Sequence, residues 1–347
     1  MTYIGIDLHR EFFVAHVENR DGEKLLSQKY PNSLESVGEL TGRFPDSKVV
    51  VEATRNWMWF VRAVRAGGCN ITMAHPFRTK AIAAAKIKTD AIDAATLCQL
   101  LRANLIPESY IASDSEVDDR ELSRGRVNMV HDRTLLKNRI KAILGKENLT
   151  FPGSDLFGKK GRIWLNGQCL SQGKELMVEN YLNLMDGVEE RLKKVDGAIK
   201  QKGGNNPRAN LLTTIPGIGV TTAFLLASEI GSIDRFANSK KFASYFGLTP
   251  RLSQSGNHAY YGRITKVGNP YVRWALVQTA QRWVRMHKNS RVWFDRLSYR
   301  AGKKKAIVAL AGKLAVVVYS VLKYKRPFSL NFEVQKVSPA ILPESSY

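Results

Sequence analysis

At 347 residues, 44% of them hydrophobic, the chain has room for two domains and a packed core, and wholesale disorder is excluded. Lysine and arginine number 53 against 31 acidic residues, a net charge of +22, which points to a polyanionic partner, most simply nucleic acid. A basic membrane-surface protein would carry an amphipathic anchor or a lipidation motif, and the three cysteines, Cys69, Cys98 and Cys169, form neither a zinc pattern nor an even disulfide set; a reducing cytoplasm and no membrane are expected.

Thr2–Leu8, TYIGIDL, reads as a short strand ending near Asp7 rather than as a secretory signal. Glu11–Glu18 and Lys24–Tyr30 read as further strands, with Asp21-Gly22 as the turn between them. Ser33–Phe44 suits a helix, Lys48–Ala53 a buried strand carrying Glu52, Asn56–Ala66 a helix and Asn70–Ala74 a strand. After Pro76 comes a basic segment, Arg78–Lys88. Then KIKTDAIDAATLCQLL predicts a helix with Thr89 as N-cap and with Asp90 and Asp93 on one face of its first turn.

Strands followed by alternating helices and strands imply a mixed α/β sheet with helices packed on it. In that arrangement Asp7, Glu52, Asp90 and Asp93 can converge at adjacent strand ends. Two like charges ~4 Å apart repel by roughly 4 kcal/mol at an effective dielectric of ~20. A divalent metal relieves the repulsion, and hard oxygen ligands select Mg²⁺ or Mn²⁺, the ions of phosphodiester chemistry.

The order GIDLH, VVVEA and KTDAIDA resembles the N-terminal domain of the DEDD transposases of bacterial insertion sequences, the insertion-sequence "one-ten" family, which includes the Piv-type DNA invertases. The resemblance implies a RuvC-like, ribonuclease-H-like fold over residues 1–112, with the metal-binding tetrad on Asp7, Glu52, Asp90 and Asp93.

Residues 113–204 read as a helical region. Asp114–Asn148 carries Leu122, Met129, Leu136, Ile140 and Ile143 at heptad-like intervals, and Lys174–Lys202 carries Leu176, Leu184, Val188, Leu192 and Val195. An antiparallel or intersubunit coiled coil and a plain helical hairpin both fit. Thr150–Gly173 reads as a loop, and Gly203–Pro207, GGNNP, as a linker.

A mostly α-helical C-terminal domain is expected over 205–330, with a peripheral tail over 331–347. Leu211–Glu229 contains Pro-Gly-Ile-Gly between two helical stretches, like a helix-hairpin-helix motif; Gly217 and Gly219 allow a tight turn whose backbone N–H groups can hold a phosphate, or simply join two packed helices. Ser255-Gly256 lies in a polar stretch expected to be flexible, with Arg263, Lys266 and Arg273 following closely; a serine among such cations can attack a phosphate, or can merely be a solvated loop residue. From Arg282 to Arg326 the chain is basic, with Arg282, Arg285, Lys303, Lys304 and Lys305 as candidate backbone contacts and Trp283, Trp293, Phe294 and Tyr299 interleaved as candidate stacking groups. Ala306–Leu322, interrupted by Lys313, predicts a buried helix.

GLTPR, QSG and GRITKVGNPYVRWAL resemble the C-terminal domain of the same transposases. The resemblance places a nucleophilic serine on Ser255, with Ser253 a near neighbour, and implies a covalent phosphoserine–DNA intermediate. It further implies donor and target DNA as partners, a structured bridge RNA, a dimer or tetramer, and a bacterial nucleoid-associated location. His258–Tyr261 is less basic than the family pattern. Two rivals are a metal-dependent Holliday-junction resolvase without a serine nucleophile and a noncatalytic nucleic-acid-binding protein; a third is a tyrosine recombinase using Tyr260 or Tyr261.

Overall fold

The computed structural model describes residues 1–83, 89–255 and 258–329, without the side chains of Ser255, His258, Ala259 and Tyr261. The end of the basic segment, residues 84–88, Gly256, and the tail over 331–347 lie outside the described residues. The chain divides into two compact units, Met1–Ala112 and Ser113–Tyr347.

The first unit runs β1 (Tyr3–Leu8), β2 (Phe12–Glu18), β3 (Lys24–Pro31), α1 (Leu34–Arg43), β4 (Lys48–Glu52), α2 (Trp57–Ala66), β5 (Asn70–Ala74), α3 (Pro76–Ile82), α4 (Asp90–Arg102) and β6 (Glu108–Ser109). The strands form one six-stranded mixed sheet in the order β3-β2-β1-β4-β5-β6. β1, β4 and β5 are parallel; β2 and β3 continue antiparallel from one side, and β6 is antiparallel to β5. The expected strands and helices of this unit form within a residue or two of their predicted ends, and α3 and β6 are additions.

Side chains alternate across the sheet. Ile4, Ile6, Leu8, Val49, Val51, Phe13, Ala15 and Val17 lie on one face, where Val37 and Leu40 of α1 and Phe60, Val61 and Val64 of α2 cover them. The opposite face carries Gly5 and Val50 and receives α4. There Val50 packs with Ala74 and Leu97. Gly5 lets the helix come very close: a Cβ at this position would lie 2.5 Å from the Cys98 nitrogen. Cys98 donates to the Tyr3 carbonyl from the same contact, and burial pushes its thiol up to about 12.

The second unit contains α5 (Asp114–Lys146), α6 (Lys159–Asn166), α7 (Gln172–Gly204), α8 (Pro207–Thr213), α9 (Val220–Ile230), a 3-10 turn (Ile233–Arg235), α10 (Ser239–Tyr245), β7 (Pro250–Ser255), β8 (His258–Ile264), α11 (Pro270–Met286), α12 (Lys288–Ala301) and α13 (Lys303–Tyr324). α5 opens on a capping box, with Ser113 and Glu116 each satisfying the other's backbone N–H. α5 and α7, 33 residues and about 50 Å each, run antiparallel. The ion pairs Arg126–Asp196, Arg133–Glu189 and Lys202–Asp119 fix that direction, because α7 numbers fall as α5 numbers rise.

Four expectations are corrected here. The buried seam of α7 is Val178, Met185, Leu192 and Ile199, a strict heptad, whereas Leu176 and Leu184 are exposed. The supposed loop 150–173 contains α6, whose Leu165 packs with Ile140, Leu144 and Val178 at the hairpin tip. Gly161 belongs inside that helix because it meets the Leu156 backbone too closely for any side chain. The supposed linker at Gly203–Pro207 is a tight junction: Asn206 caps α8 through the Arg208 and Ala209 amides, Pro207 takes the first turn, and buried Gly203 abuts Val220. The polar stretch around Ser255 is a hairpin of two paired strands, in which Ser255 stands opposite His258 and Leu252 opposite Tyr261.

The core of this unit joins α8, α9, α10, α11 and α13, with Val127 of α5 entering it. Among the described residues only α13 is long and apolar enough to cross a membrane, and Leu310, Leu314, Val318 and Val321 bury it in this core. Buried Glu229 ties three elements together. Arg124 of α5 donates to both its carboxylate oxygens at 2.5 and 2.8 Å, and Asn269, the cap of α11, donates to it at 2.7 Å.

Candidate active site

β1 and β4 are parallel and paired at Ile6 and Val51, so Asp7 and Glu52, one residue further on each, leave the sheet side by side. Alternation puts Asp7 on the face of Gly5 and Glu52 on that of Val50, the face covered by α4. Thr89 accepts from the Ile92 amide at 3.2 Å and starts α4 where expected, with Asp90 and Asp93 in its first turn. The close approach at Gly5 brings that turn over the end of β1.

Asp90 and Asp93 both act on Asp7. Burial raises the Asp7 carboxyl above the usual range; His9 opposes this by charge and by hydrogen bonding, and the charges of Asp90 and Asp93 raise it further. His9, which follows Asp7 in GIDLH, joins this cluster although no sequence pattern singles it out. Its Nε2 lies 3.0 Å from Asp7 Oδ2 and 3.5 Å from Asp90 Oδ1. Donor atoms of Asp7, His9 and Asp90 all fall within 4.8 Å of one another. Glu52 ends the strand parallel to β1, and Asp93 shares the first turn of α4 with Asp90. Two carboxylates and an imidazole so close, with one carboxyl pushed up by burial and, less, by its acidic neighbours, fit a divalent cation.

In the second unit, Gly217 has a φ of 85° in the turn between α8 and α9, and Gly219 is the N-cap of α9. The two glycines therefore occupy a helix–turn–helix junction of the expected kind, with Ile215 and Ile218 anchoring it in the core. The Gly217 turn lies against Arg282 of α11, whose Cβ would be 3.3 Å from an added Cβ. Arg263, Lys266, Arg282, Arg285, Lys303, Lys304 and Lys305 are exposed. Arg273 is not: it is half-buried and donates to the Phe246 carbonyl at 3.0 Å, and burial lowers its pKa. Of the four interleaved aromatics, Trp283 is core, Trp293 and Phe294 pack partly against it, and Tyr299 is exposed. Ser255 ends β7, and its side chain lies outside what the structure describes. Ser253 is paired with Tyr260 in the same hairpin.

A DEDD transposase model of the IS110 type matches residues 4–148, and a model described as "Transposase IS116/IS110/IS902 family" matches residues 209–293. The chain belongs to this transposase family. The transposase of insertion sequence element IS1328 from Yersinia enterocolitica is 25% identical over 95% of this chain and 99% of its own length. A probable family 20 transposase from Pseudomonas aeruginosa is 24% identical over 93% of this chain and 97% of its own. The pilin gene-inverting protein of Moraxella bovis is 35% identical over 35% of this chain and 39% of its own length. The transposase is thus a DNA-binding enzyme that cuts and rejoins DNA in transposition. DEDD transposases generally use divalent metal, and the acids of the first unit supply a matching donor set.

Proposed function

We propose that this transposase excises and inserts an insertion sequence with a carboxylate metal site on Asp7, Glu52, Asp90 and Asp93 and a serine nucleophile on Ser255. The carboxylate cluster at the ends of β1 and β4, under the first turn of α4, carries the reading. These carboxylates would hold a divalent ion, Mg²⁺ or Mn²⁺, which would lend positive charge to the phosphate and acidify an attacking hydroxyl.

Ser255 Oγ forms the new bond to phosphorus as the bond to the leaving deoxyribose oxygen breaks. The serine proton passes to a base, and the leaving oxygen takes up a proton. One phosphodiester replaces another, so the bond energy is conserved for rejoining. Arg263 and Lys266, exposed near the hairpin that ends β7, neutralise charge on the phosphate. Gly217 and Gly219 offer backbone N–H groups to a second phosphate, and Arg282, Arg285 and Lys303–Lys305 follow the nucleic-acid backbone. Arg273 supports this surface through Phe246. The charge of +22 accommodates a bridge RNA besides the two DNA duplexes, and the exchange of two duplexes suits a dimer or tetramer.

One observation favours a second reading, a metal-dependent resolvase: the carboxylate cluster is assembled within the first unit alone. A trapping assay separates the two. The full chain with Mg²⁺ and copurifying RNA is given junction DNA of its element, and adducts are mapped by mass spectrometry. A phosphoserine link at Ser255, absent from Ser255→Ala and from Asp90→Ala, supports the serine mechanism. Cleavage that survives Ser255→Ala without any adduct leaves the metal nuclease. An adduct on Ser253 or on Tyr260 moves the nucleophile.

A further inference from the structure

His9 stands in the carboxylate cluster without a part in the tetrad. Its position is built. The His9 carbonyl accepts from Asn32 Nδ2 at 3.0 Å and from Asn56 Nδ2 at 2.8 Å. Its amide donates to the Phe12 carbonyl at 2.9 Å. The imidazole stacks on the Phe12 ring with centroids 4.5 Å apart, and Lys29 Nζ lies 3.5 Å from the centre of that same ring. Main chain and ring are thus both held, with Nε2 aimed at Asp7 and Asp90.

Resting on the metal site proposed above, the geometry points to His9 Nε2 as a nitrogen ligand of the ion shared by Asp7 and Asp90, and to a site that prefers Mn²⁺ to Mg²⁺. Adjacent donors around an octahedral ion with bonds of about 2.1 Å stand ~3 Å apart. The separations of 3.0 and 3.5 Å from Nε2 to the two carboxylates match adjacent positions of such a shell. Mg²⁺ is hard and keeps oxygen ligands and water, whereas an imidazole shifts a mixed nitrogen–oxygen set toward transition metals. The Phe12 stack and the two asparagines then act as supports that fix the ring for coordination.

The test reads the metal directly. Mn²⁺ is titrated into the full chain by electron paramagnetic resonance, with Mg²⁺ as competitor, and the electron spin echo of bound Mn²⁺ is examined for nitrogen-14 modulation. The wild type shows that modulation. His9→Ala and His9→Gln lose it, and both weaken Mn²⁺ binding by about tenfold or more while Mg²⁺ binding falls less. The glutamine variant keeps a polar side chain in the cluster, and a melting temperature within a few degrees of the wild type shows that it is folded. Bound Mn²⁺ without nitrogen modulation, lost in Asp7→Asn but unchanged in His9→Ala, overturns the ligand assignment and leaves the carboxylate site standing. No Mn²⁺ binding to the wild type overturns both.

Discussion

Gly5 of β1 and Cys98 of α4 meet backbone to backbone, with no room between them for even a methyl group: an added Cβ would sit 2.5 Å from the Cys98 nitrogen and 2.9 Å from its Cβ. This contact sets the height of α4 above the sheet, and hence the height of Asp90 and Asp93 above Asp7. Gly5→Ala should therefore lower stability by at least about 2–3 kcal/mol, the upper range for overpacking, because the obstacle is main chain and cannot rotate away. It should also abolish strand cleavage. Gly38 in α1 is the control: nothing lies within 4 Å of an added Cβ there, so Gly38→Ala should stabilise by up to ~1 kcal/mol. Chemical denaturation of both variants checks the pair, and equal effects would dismiss the close contact.

The Asp7 carboxyl supplies a pH prediction. Burial raises its pKa in the folded chain above the ~3.9 of an unfolded aspartate. A raised group contributes stability that is full below the unfolded value and is lost as pH rises through the folded value. The metal-free transposase should accordingly be strained by Asp7 at neutral pH, and Asp7→Asn should raise its melting temperature there. The gain should shrink as pH falls through the raised value and the wild-type carboxyl takes up its proton. Mg²⁺ or Mn²⁺ should raise the wild-type melting temperature at pH 7, more than that of Asp7→Asn. Thermal melts across pH 4–8, with and without metal, test all three statements.

Much of the first unit was legible in the sequence because its signals are local. Strand alternation, the Thr89 cap and the acids at the ends of apolar runs all act within a few residues, and α4 begins where Thr89 places it. The place of His9 in the cluster is not legible in this way, because Asp90 lies 81 positions away in sequence and no short pattern connects the two. Two of the corrections in the second unit share one physical origin: a glycine in a polar stretch suits close packing as well as flexibility. Gly161 and Gly203 instead serve close packing, against Leu156 and Val220, so a loop and a linker were expected where a helix and a tight junction form. The pairing of β7 with β8 is obscured by polar composition, which gives no apolar alternation to read.

Glu229 should be the most sensitive charge of the second unit. Its side chain is 1% exposed and relies on Arg124 for both carboxylate oxygens. Removing one partner of a buried pair costs about 3–5 kcal/mol. Arg124→Ala should approach the lower figure, because Arg120 remains nearby, while Glu229→Gln strands Arg124 and loosens the Asn269 cap of α11. A double-mutant cycle on Arg124 and Glu229 measures the coupling; a value below ~0.5 kcal/mol would remove the pair from the account.

The basic surface should divide by burial. Exposed Arg263, Lys266, Arg285 and Lys303 should each contribute by counterion release, so that each alanine variant reduces the salt slope of duplex binding by about 0.9 and leaves the melting temperature nearly unchanged. Arg273 should do the reverse. Its bond to the Phe246 carbonyl is half-buried, so Arg273→Ala should lower the melting temperature with little change in slope. Binding isotherms at several salt concentrations, read beside melting curves, separate the two groups.

Leu184 and Met185 are neighbours on α7 with opposite surroundings, and they decide which stripe of that helix does what. Met185 is fully buried in the seam against α5, whereas Leu184 is 58% exposed. Met185→Ala should cost about 2–5 kcal/mol, as large-to-small changes in a core do. Leu184→Ala should leave the stability of an isolated chain within ~0.5 kcal/mol. Leu184 nevertheless shares its side of the helix with Leu176, and an exposed stripe of large apolar residues invites a second copy. Sedimentation of Leu184→Lys tests that use: a shift to monomer with an unchanged denaturation curve in the dilute limit assigns the stripe to assembly. An unchanged sedimentation coefficient would leave α5 and α7 as an intramolecular hairpin and send the search for the subunit interface elsewhere.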